Sequence, residues 1–337
     1  MSVLLPVYDA ASTLEACLDS LGNQTLTDIE IVAVDDGSTD DSAAILDERA
    51  KADPRIRVLH RDHQGVVDAA QAGLVACRGR YVARMDADDL AYPERLAKQV
   101  GLFAADPALK VASCLVEVLD AAPERQGFVR YVEWVNSAVE AADIERERFI
   151  ELPMPNPTTM ARRVDLLKIG GIRETGWPED YELWLRAAHA GWRMAKVPEV
   201  LLGWRDGPDR LTRTDSRYSV ENFLRAKSHY LARGPLAGRP VIMWGAGKMG
   251  RRLSKHLLRH GVDLVGFVDI DQRKIGGTSR NRPVHDVVEL PALLDHHDVG
   301  IRPVVLAAVS SYGARALIRE RLNGWGLTET VDYWCAA

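Results

Sequence analysis

Between residues 1 and 100, short runs rich in β-branched residues alternate with segments of helical periodicity, and no other feature constrains the fold as strongly. The strand-like runs read SVLLPV, IEIVAVD, IRVLH and YVARMD. Alternation of this kind is typical of βαβ units, in which successive strands form a largely parallel sheet. We therefore expect an α/β fold that begins with parallel strands.

Local signals predict where the first helices begin and end. In STLEACLDSLGN, Ser12 and Glu15 have the spacing of a capping box, and Gly22 is the expected stop. In the next connection, VDDGSTDDS, Gly37 permits a tight turn. One of three side chains there is expected to cap the second helix: Ser38, Thr39 or Asp41. Capping alone explains most such side chains, so none of them indicates a ligand site by itself.

Length and composition limit the possible functions. A chain of 337 residues exceeds what one core usually serves, so we expect two domains. A net charge of -5 indicates no nucleic-acid partner. The four cysteines form no CxxC pair, which predicts neither disulfides nor zinc. No segment has the character of a signal peptide or a membrane span, so we predict a cytoplasmic protein, which would act peripherally at the inner membrane face if its substrate is membrane-bound.

Polar residues follow three of the predicted strands. They occupy Pro6–Tyr8, Asp35–Thr39 and Asp86–Asp89. Because ligands of open α/β sheets gather outside the carboxyl ends of strands, these segments predict one cleft edge. Asp86, Asp88 and Asp89 supply the hard oxygen ligands that Mg²⁺ and Mn²⁺ prefer, although Asp89 has the alternative of capping the helix after Pro93.

Four ordered motifs resemble those of family 2 glycosyltransferases with the GT-A fold. They are SVLLPVYDAASTLEACLDSLGNQTLTDIEIVAVDDGSTDDS, DHQGVVDAAQAGLVACRGRYVARMDADD, PTTMARRVDLLKIGGIRE and PEDYELWLRAAHAGWRMAKVPEVL. The resemblance covers about residues 1 to 230, and four motifs in order are far more specific than a lone DxD. It implies a Rossmann-like mixed sheet that binds a nucleotide-sugar donor, with UDP as the expected nucleotide.

The resemblance also implies roles at the donor site. Asp88 would ligate Mn²⁺ or Mg²⁺ directly, Asp86 would lie near the ribose or a metal-bound water, and Asp89 would support them. The nucleotide base would lie against Pro6, Val7 and Tyr8, with Asp36 accepting a hydrogen bond from a ring N–H. Residues Asp62, His63 and Gln64 would approach the nucleotide. Without the neighbouring motifs, Tyr8 would be interpreted as a packing residue at a strand end.

On the acceptor side, GWPEDYELWLRAAHAG predicts a helix with Pro178 at its first position and Gly191 just beyond its end. By resemblance, Asp180 is the general base of an inverting transfer and Glu179 orients the acceptor. Acids in a first turn also occur for dipole reasons alone. Trp184 is predicted to be core, and Trp177 is the better candidate for stacking on a sugar. The segment 120–155 is predicted to form helices that shape the acceptor side.

Two departures from the family affect the mechanism. Where many members have a His after the base helix, this chain has Arg205 and Asp206. Arg cannot ligate a metal, so we expect Arg205 to clamp the diphosphate, while Asp206 is a candidate ligand. Asn156 likewise replaces a frequent His in PNPTTM.

Glycines and prolines punctuate residues 233–240, where we place a linker between a 1–232 glycosyltransferase domain and a smaller 241–337 Rossmann-like α/β domain. The second domain has a GxGxxG between strand and helix, and an acid ends the following strand. These candidate residues of a second nucleotide site are Gly245, Gly247, Gly250 and Asp269. The domain resembles the nucleotide-binding N-terminal domain of sugar O-acyltransferases, but no hexapeptide repeat follows it. We expect an accessory or homo-oligomerising role.

Three functions remain open at this point. The leading hypothesis is an inverting, metal-dependent glycosyltransferase acting on a carbohydrate, lipid-linked or other hydroxyl acceptor. The first alternative is an NAD-dependent oxidoreductase that uses the C-terminal fingerprint. The second is a non-catalytic nucleotide-sugar-binding protein.

Overall fold

The computed structural model describes residues 1–119, 126–207, 210–295 and 301–337. They divide into two compact units, which we call unit 1 and unit 2. Unit 1 comprises Met1–Ile144 and Pro153–Thr214, and unit 2 comprises Glu145–Leu152 and Asp215–Ala337.

Unit 1 contains one sheet and the helices that cover it. Its strands are β1 (Ser2–Val7), β2 (Glu30–Asp35), β3 (Ile56–His60), β4 (Tyr81–Arg84), β5 (Leu90–Ala91), β6 (Leu109–Leu119), β7 (Met160–Arg162) and β8 (Arg193–Arg205). Its helices are α1 (Ala11–Gly22), α2 (Ser42–Ala52), α3 (Val66–Ala76), α4 (Arg95–Ala105), α5 (Gln126–Ser137), α6 (Ala141–Glu147, which runs on into unit 2), α7 (Arg163–Lys168), α8 (Glu179–His189) and α9 (Leu211–Thr214). The helices predicted within 120–155 are confirmed for the described part of that segment, and residues 120–125 lie outside it.

The sheet of unit 1 is mixed. Its strand order is β3-β2-β1-β4-β7-β6-β8-β5. The first four strands are parallel, whereas β7 runs antiparallel to both β4 and β6. The predicted parallel start and the mixed α/β character are both confirmed.

Apolar side chains from β1, β2 and α1 form much of the core beneath this sheet. Leu5 and Ile31 are fully buried on neighbouring strands, and Leu14 and Leu18 of α1 are buried in the same cluster. Replacing such a residue by alanine typically costs about 2–5 kcal/mol. The sheet is therefore a firm base for the loops at its carboxyl edge.

The helix starts differ from those predicted. α1 begins at Ala11, so Ser12 lies inside it, and no side chain of the predicted capping box caps it. The N–H of Ala11 instead donates to Asp40 at 2.9 Å, and Asp40 also accepts the N–H of Ser42, the first residue of α2. One carboxylate thus serves two helix starts, because tertiary structure brings them together. The predicted stop at Gly22 is confirmed.

Unit 2 is built on a second sheet. Its strands are β9 (Val241–Trp244), β10 (Leu264–Asp269), β11 (Thr278–Ser279), β12 (Arg282–Asp286), β13 (Val304–Ala307) and β14 (Tyr333–Cys335). Its helices are α10 (Val220–Arg233), α11 (Lys248–Arg259), α12 (Leu290–Asp295) and α13 (Ala314–Gly324). The sheet order is β11-β12-β10-β9-β13-β14, and all neighbours except the β11–β12 hairpin are parallel. The five parallel strands thus follow the order 3-2-1-4-5 found in doubly wound folds.

The division between the units does not fall at the predicted linker. α10 belongs to unit 2, where its Glu221 lies 2.9 Å from His256 of α11. The segment Glu145–Leu152 also belongs to unit 2, and the ring of Phe149 contacts that of Trp334 in an edge-on pair with centroids 5.3 Å apart. The boundary between the units depends on contacts between residues distant in sequence, which leave no local pattern. The glycines and prolines of residues 233–240 form a local pattern, and the prediction followed them.

The four cysteines are buried, and none forms a disulfide bond with another. Among the described residues, we find no helix with both the length and the apolar character needed to cross a membrane.

Candidate active site

Three segments after neighbouring parallel strands form the edge where a ligand is expected. β1 lies between β2 and β4 in the sheet, so the residues following these strands come to the same end. Tyr8 follows β1, Asp36 follows β2, and Asp86 lies just beyond β4. The cleft edge predicted from the sequence is therefore present.

Asp36 organises the loop that follows β3. Its carboxylate is only 2% exposed and accepts the backbone N–H groups of Gln64 and Gly65 at 3.0 and 2.8 Å. His63 Nδ1 lies 2.9 Å from the same carboxylate. The hydrogen bond of His63 Nδ1 goes to the Asp36 backbone carbonyl at 3.0 Å. An ionised carboxylate has about four acceptor positions, so the two backbone donors leave room for a further donor.

The rings of Tyr8 and His63 form an aromatic pair beside the loop that Asp36 holds. The Tyr8 ring is 46% exposed, and its centroid lies 4.1 Å from that of His63, with 30° between the planes. The nearby charge of Asp9 raises the pKa of Tyr8, so the phenol is neutral at physiological pH. The result is an exposed, uncharged aromatic surface at the end of β1.

Pro6 and Val7, the other residues predicted to contact the nucleotide base, differ in the exposure of their side chains. Val7 is 1% exposed, and its side chain belongs to the core of unit 1. Its carbonyl accepts the N–H of Asp36 at 2.9 Å. Pro6 is half-buried on the same strand. Val7 therefore positions Asp36 and has no side-chain surface to offer a base.

The three acids after β4 have different surroundings. Asp86 is half-buried and held by Arg84, whose Nε and a terminal nitrogen both lie 2.9 Å from one carboxylate oxygen. Asp88 is half-buried. Asp89 is 1% exposed; one of its oxygens accepts the N–H of Arg205 at 2.9 Å, and its Oδ2 is buried with no hydrogen-bond partner.

Burial and mutual repulsion both act on these acids. Burial, followed by the charge of Asp86, raises the pKa of Asp88. Burial, followed by the charges of Asp88 and Asp86, raises the pKa of Asp89 well above its usual value. A positive charge among the acids would relieve both effects. The partnerless Oδ2 of Asp89 and the repulsion between its neighbours therefore fit a bound cation.

The described residues offer no group of three or more His, Cys, Asp or Glu side chains arranged to hold a metal ion unaided. Mg²⁺ and Mn²⁺ need fewer protein ligands, because they commonly bind one or two carboxylates and complete their shell with water and phosphate oxygens. The acids after β4 suit an ion shared with a phosphorylated ligand.

Arginines lie beside these acids. Arg205 Nε donates to the Asp88 carbonyl at 3.0 Å, so the predicted diphosphate clamp lies next to the predicted metal ligand. The guanidinium of Arg210 lies 4.5 Å from the ring centroid of Trp204. Asp206, suggested as a ligand, has a buried carboxylate that pairs with Arg213 at 2.5 Å and with Arg210 at 3.6 Å.

Helix α8 presents the predicted catalytic acids in its first turn. The sequence predicted Pro178 as the first residue of this helix, but Pro178 precedes it and Glu179 is the first residue. Gly191 follows the end of the helix and has the expected left-handed backbone, with φ of 79°. Glu179 is buried and Asp180 is half-buried. The N–H of Tyr181 donates to Asp180 at 2.7 Å. The first turn of a helix favours the ionised carboxylate, the form a general base requires.

A small cavity of about 30 Å³ is lined by residues of α8 and of β4, the strand that precedes the three acids. Its lining includes Arg84, Asn156, Glu179, Asp180 and Trp184. Arg84 thus lies beside the predicted base while its guanidinium holds Asp86. We did not single out Arg84 from the sequence, although a charged residue at the end of the apolar run YVARMD was a usable signal.

A second arginine that the sequence did not reveal is Arg95. Its guanidinium is completely buried and donates to the carbonyls of Arg84 and Pro157 at 2.6 and 2.5 Å. Burial lowers its pKa. Arg95 thereby ties the loop of Asn156 to the strand that delivers the acids. Trp184 is 3% exposed, which confirms its prediction as core, whereas Trp177 is half-buried.

The predicted second nucleotide site lies entirely in unit 2. Gly245 and Gly247 lie between β9 and α11, as expected, whereas Gly250 lies in the first turn of α11. Asp269 is buried, and its carboxylate accepts the N–H of Ala246 at 2.8 Å and contacts Lys274 at 3.0 Å. Asp269, which was expected to hold a ribose, therefore binds groups of unit 2 itself.

Comparisons with known proteins agree with this architecture. A family model described as Glycosyl transferase family 2 matches residues 2–170. The amylovoran biosynthesis glycosyltransferase AmsE of Erwinia amylovora is 31% identical over 215 residues, which is 63% of this chain and 78% of that protein. The uncharacterized glycosyltransferase EpsJ of Bacillus subtilis is 44% identical over 89 residues, which is 26% of each chain.

A solved structure shares the fold. Residues 1–349 of S. aureus TarS, crystallised with UDP-GlcNAc, match with a TM-score of 0.57 at 19% identity over 77% of this chain and 72% of that one. The family match, the AmsE relative and the GT-A fold agree. The chain therefore belongs to glycosyltransferase family 2 and is a glycosyltransferase.

Proposed function

We propose that the chain is an inverting, metal-dependent glycosyltransferase that moves a sugar from a UDP-sugar to an acceptor hydroxyl. The observation that carries the proposal is the set of three crowded acids after β4, with raised pKa values at Asp88 and Asp89 and a partnerless buried oxygen on Asp89. The UDP-GlcNAc complex of TarS supports a UDP-sugar as the donor.

The nucleotide would bind along the ends of β1 and β2. The Tyr8–His63 pair offers a flat aromatic surface on which a base can stack. Asp36 has an acceptor position left for a ring N–H of the base. Arg205, which donates to the backbone beside the acids, would contribute a positive charge to the diphosphate.

Asp88 would hold the divalent cation, with Asp86 and Asp89 close by. Arg84 fixes Asp86, and the backbone of Arg205 fixes Asp89, so both acids are positioned before any ligand arrives. When bound, Mn²⁺ or Mg²⁺ supplies Lewis-acid stabilisation of the charge that develops on the departing nucleoside diphosphate.

Asp180 would act as the general base. The acceptor oxygen forms a bond to the anomeric carbon, its proton moves to the Asp180 carboxylate, and the bond to the diphosphate oxygen breaks with its electron pair leaving on UDP. Attack opposite the leaving group inverts the anomeric configuration. Glu179 and Arg84, which line the same cavity, would position the base and the acceptor.

A donor-turnover assay tests this proposal. The chain is incubated with UDP-sugars and GDP-sugars, with Mn²⁺ or with EDTA, and release of nucleoside diphosphate is measured. We expect metal-dependent release from a UDP-sugar that falls by a factor on the order of 10³ in Asp88→Asn. The matched control is Asp53→Asn, which changes an acid paired with Arg55 and should retain activity. Undiminished turnover in EDTA or in Asp88→Asn would contradict the proposal.

A further inference from the structure

A large cavity in unit 2 is lined by positive charges. It has a volume of about 1000 Å³ and lies between α11 and the segment that connects β10 with β12. Six cationic side chains line it: Lys248, Arg251, Arg252, Arg273, Lys274 and Arg280. No carboxylate belongs to the lining contributed by the described residues. Such a surface attracts anions.

Half of these charges are not neutralised locally. Three have carboxylate partners: Arg252 with Glu221 at 3.4 Å, Arg273 with Asp271 at 2.9 Å, and Lys274 with Asp269 at 3.0 Å. Lys248, Arg251 and Arg280 have no ion pair with any carboxylate in the part of the chain that the structure describes. Three uncompensated cations in one cavity favour a ligand with at least two negative charges.

The backbone beside these cations is open to a ligand. Gly245 has a left-handed backbone with φ of 110°, and a Cβ at Gly250 would lie 1.8 Å from the carbonyl oxygen of Gly245, so both glycines are required for the turn and its packing. A Cβ at Gly247, by contrast, would meet nothing within 4 Å. Gly247 precedes α11, whose first turn has no side-chain cap among the described residues. Its N–H groups can therefore receive a phosphate.

Ser279 supplies an independent indication of a missing partner. The residue is 8% exposed and belongs to the cavity lining, yet its hydroxyl is buried without a hydrogen-bond partner among the described residues. Leaving such a group unsatisfied is unfavourable, and it is rare in folded proteins. A ligand oxygen in the cavity would provide the partner.

Arg280 lies in the two-residue turn of a β-hairpin whose geometry places it beside α11. Arg280 and Asn281 both have positive φ, at 53° and 59°, between β11 and β12. The Arg280 guanidinium donates to the Arg251 carbonyl of α11 at 2.9 Å, which fixes the hairpin against that helix. The hairpin therefore holds the Arg280 side chain beside the start of α11, at the edge of the cavity.

We infer that unit 2 contains a second, metal-independent binding site for a nucleotide-sized organic diphosphate. Lys248, Arg251 and Arg280 would bind the diphosphate together with the first turn of α11, and Ser279 would donate to it. Leu258 and Val284 also line the cavity and would contact the organic part of the ligand. The site lies wholly in unit 2 and does not depend on the glycosyl-transfer proposal.

Calorimetry on the full chain tests the inference. The background variant Asp88→Asn in EDTA removes metal-dependent binding in unit 1, and the probes are pyrophosphate, UDP, ADP and NAD. We expect at least one organic diphosphate to bind with a Kd on the order of 10–100 μM, more tightly than pyrophosphate. Arg251→Glu should weaken binding by about tenfold or more, whereas Arg259→Glu, at the other end of α11 and outside the cavity lining, should leave it nearly unchanged.

A hydroxyl variant keeps the test independent of charge and of folding. If Ser279 awaits a ligand, Ser279→Ala should weaken diphosphate binding while raising or preserving the Tm of the ligand-free chain. A fall in Tm with unchanged binding would show that the hydroxyl has a structural role, and would overturn the inference. So would the absence of binding by every probe, an equal loss in Arg251→Glu and Arg259→Glu, or binding only to vesicles of anionic lipid.

Discussion

The two units present opposite charges next to their parallel strands. In unit 1, carboxylates follow β4 at the carboxyl edge of a parallel group of strands, and burial, followed by the charges of neighbouring acids, raises the pKa values of Asp88 and Asp89. In unit 2, the segment after β10 and the start of α11 carry cations around an open cavity. A parallel sheet edge therefore sets only the place of a site, while side-chain charge decides how a phosphate can be held there.

The difference has consequences for binding. A diphosphate is repelled by the acids of unit 1 unless a divalent cation lies between them, so its binding there should require metal. The cations of unit 2 attract a diphosphate directly, so its binding there should tolerate EDTA and weaken with added salt. Four variants test how far the two sites are separate.

The largest effect is expected at Asp180 in unit 1. Asp180→Asn should lower kcat by about 10²–10⁴, because an amide cannot take the acceptor proton. Rates of sugar transfer and Mn²⁺-dependent UDP binding are measured together, and binding should be retained. The matched control is Asp165→Asn, an acid in the first turn of α7 that pairs with Lys110 at 2.9 Å. Equal rates in wild type and Asp180→Asn would exclude Asp180 as the base.

The second effect concerns the core of unit 2. Trp334 is 3% exposed, contacts Phe149 and carries the guanidinium of Arg148 at 4.9 Å from its ring centroid. Trp334→Ala should destabilise unit 2 by about 3–5 kcal/mol and abolish its metal-free diphosphate binding. Calorimetric unfolding should show a lower transition temperature for unit 2, while Mn²⁺-dependent UDP binding persists. The half-buried Trp325 provides a control, since Trp325→Ala should cost less.

The third test uses pH. The folded pKa values of Asp88 and Asp89 exceed their usual values, so the folded chain holds more protons than the unfolded chain between the two values. The contribution of these acids to stability is therefore lost as pH rises through the raised pKa. Asp89→Asn should flatten this dependence and raise the stability of the metal-free chain at pH 8 by about 1–3 kcal/mol.

Thermal unfolding across pH 4 to 8, with and without Mn²⁺, measures that effect. Mn²⁺ should stabilise the wild type more at pH 8 than at pH 5, because the acids must be ionised to hold it. Diphosphate binding in unit 2 should show no such increase. An Asp89→Asn chain whose metal-free stability changes with pH as that of the wild type does would contradict the account of the crowded acids.

The smallest effect is expected at the aromatic surface. His63→Ala removes the ring that lies 4.1 Å from Tyr8, and an aromatic contact contributes about 0.5–1.5 kcal/mol. Metal-dependent UDP affinity should fall by up to about tenfold. His63→Phe, which keeps a ring but loses the contact with Asp36, separates stacking from loop positioning. Full affinity in both variants would exclude this surface as the base site.

Much of the fold and part of the candidate site could be predicted from local signals. The strand runs, the stop at Gly22, the first-turn acids of α8 and the acids after β4 all have patterns within a few residues. The start of α1 could not be predicted correctly, since the carboxylate that accepts its first N–H belongs to Asp40, 29 residues away, which also accepts the N–H of nearby Ser42 at the start of α2. Arg84 and Arg95 were not identified from the sequence, because their roles depend on hydrogen-bond partners that the folded structure brings to them.

The sequence by itself determined the alternation of strands and helices, the order of the family motifs and the residue types at each strand exit, since all three depend on neighbours along the chain. Only the tertiary structure decided which charges meet. It buried Asp89, gave Asp269 internal partners, and assigned Glu145–Leu152 to unit 2. Burial and pairing arise between segments distant in the chain, and they set the electrostatic energy on which binding depends.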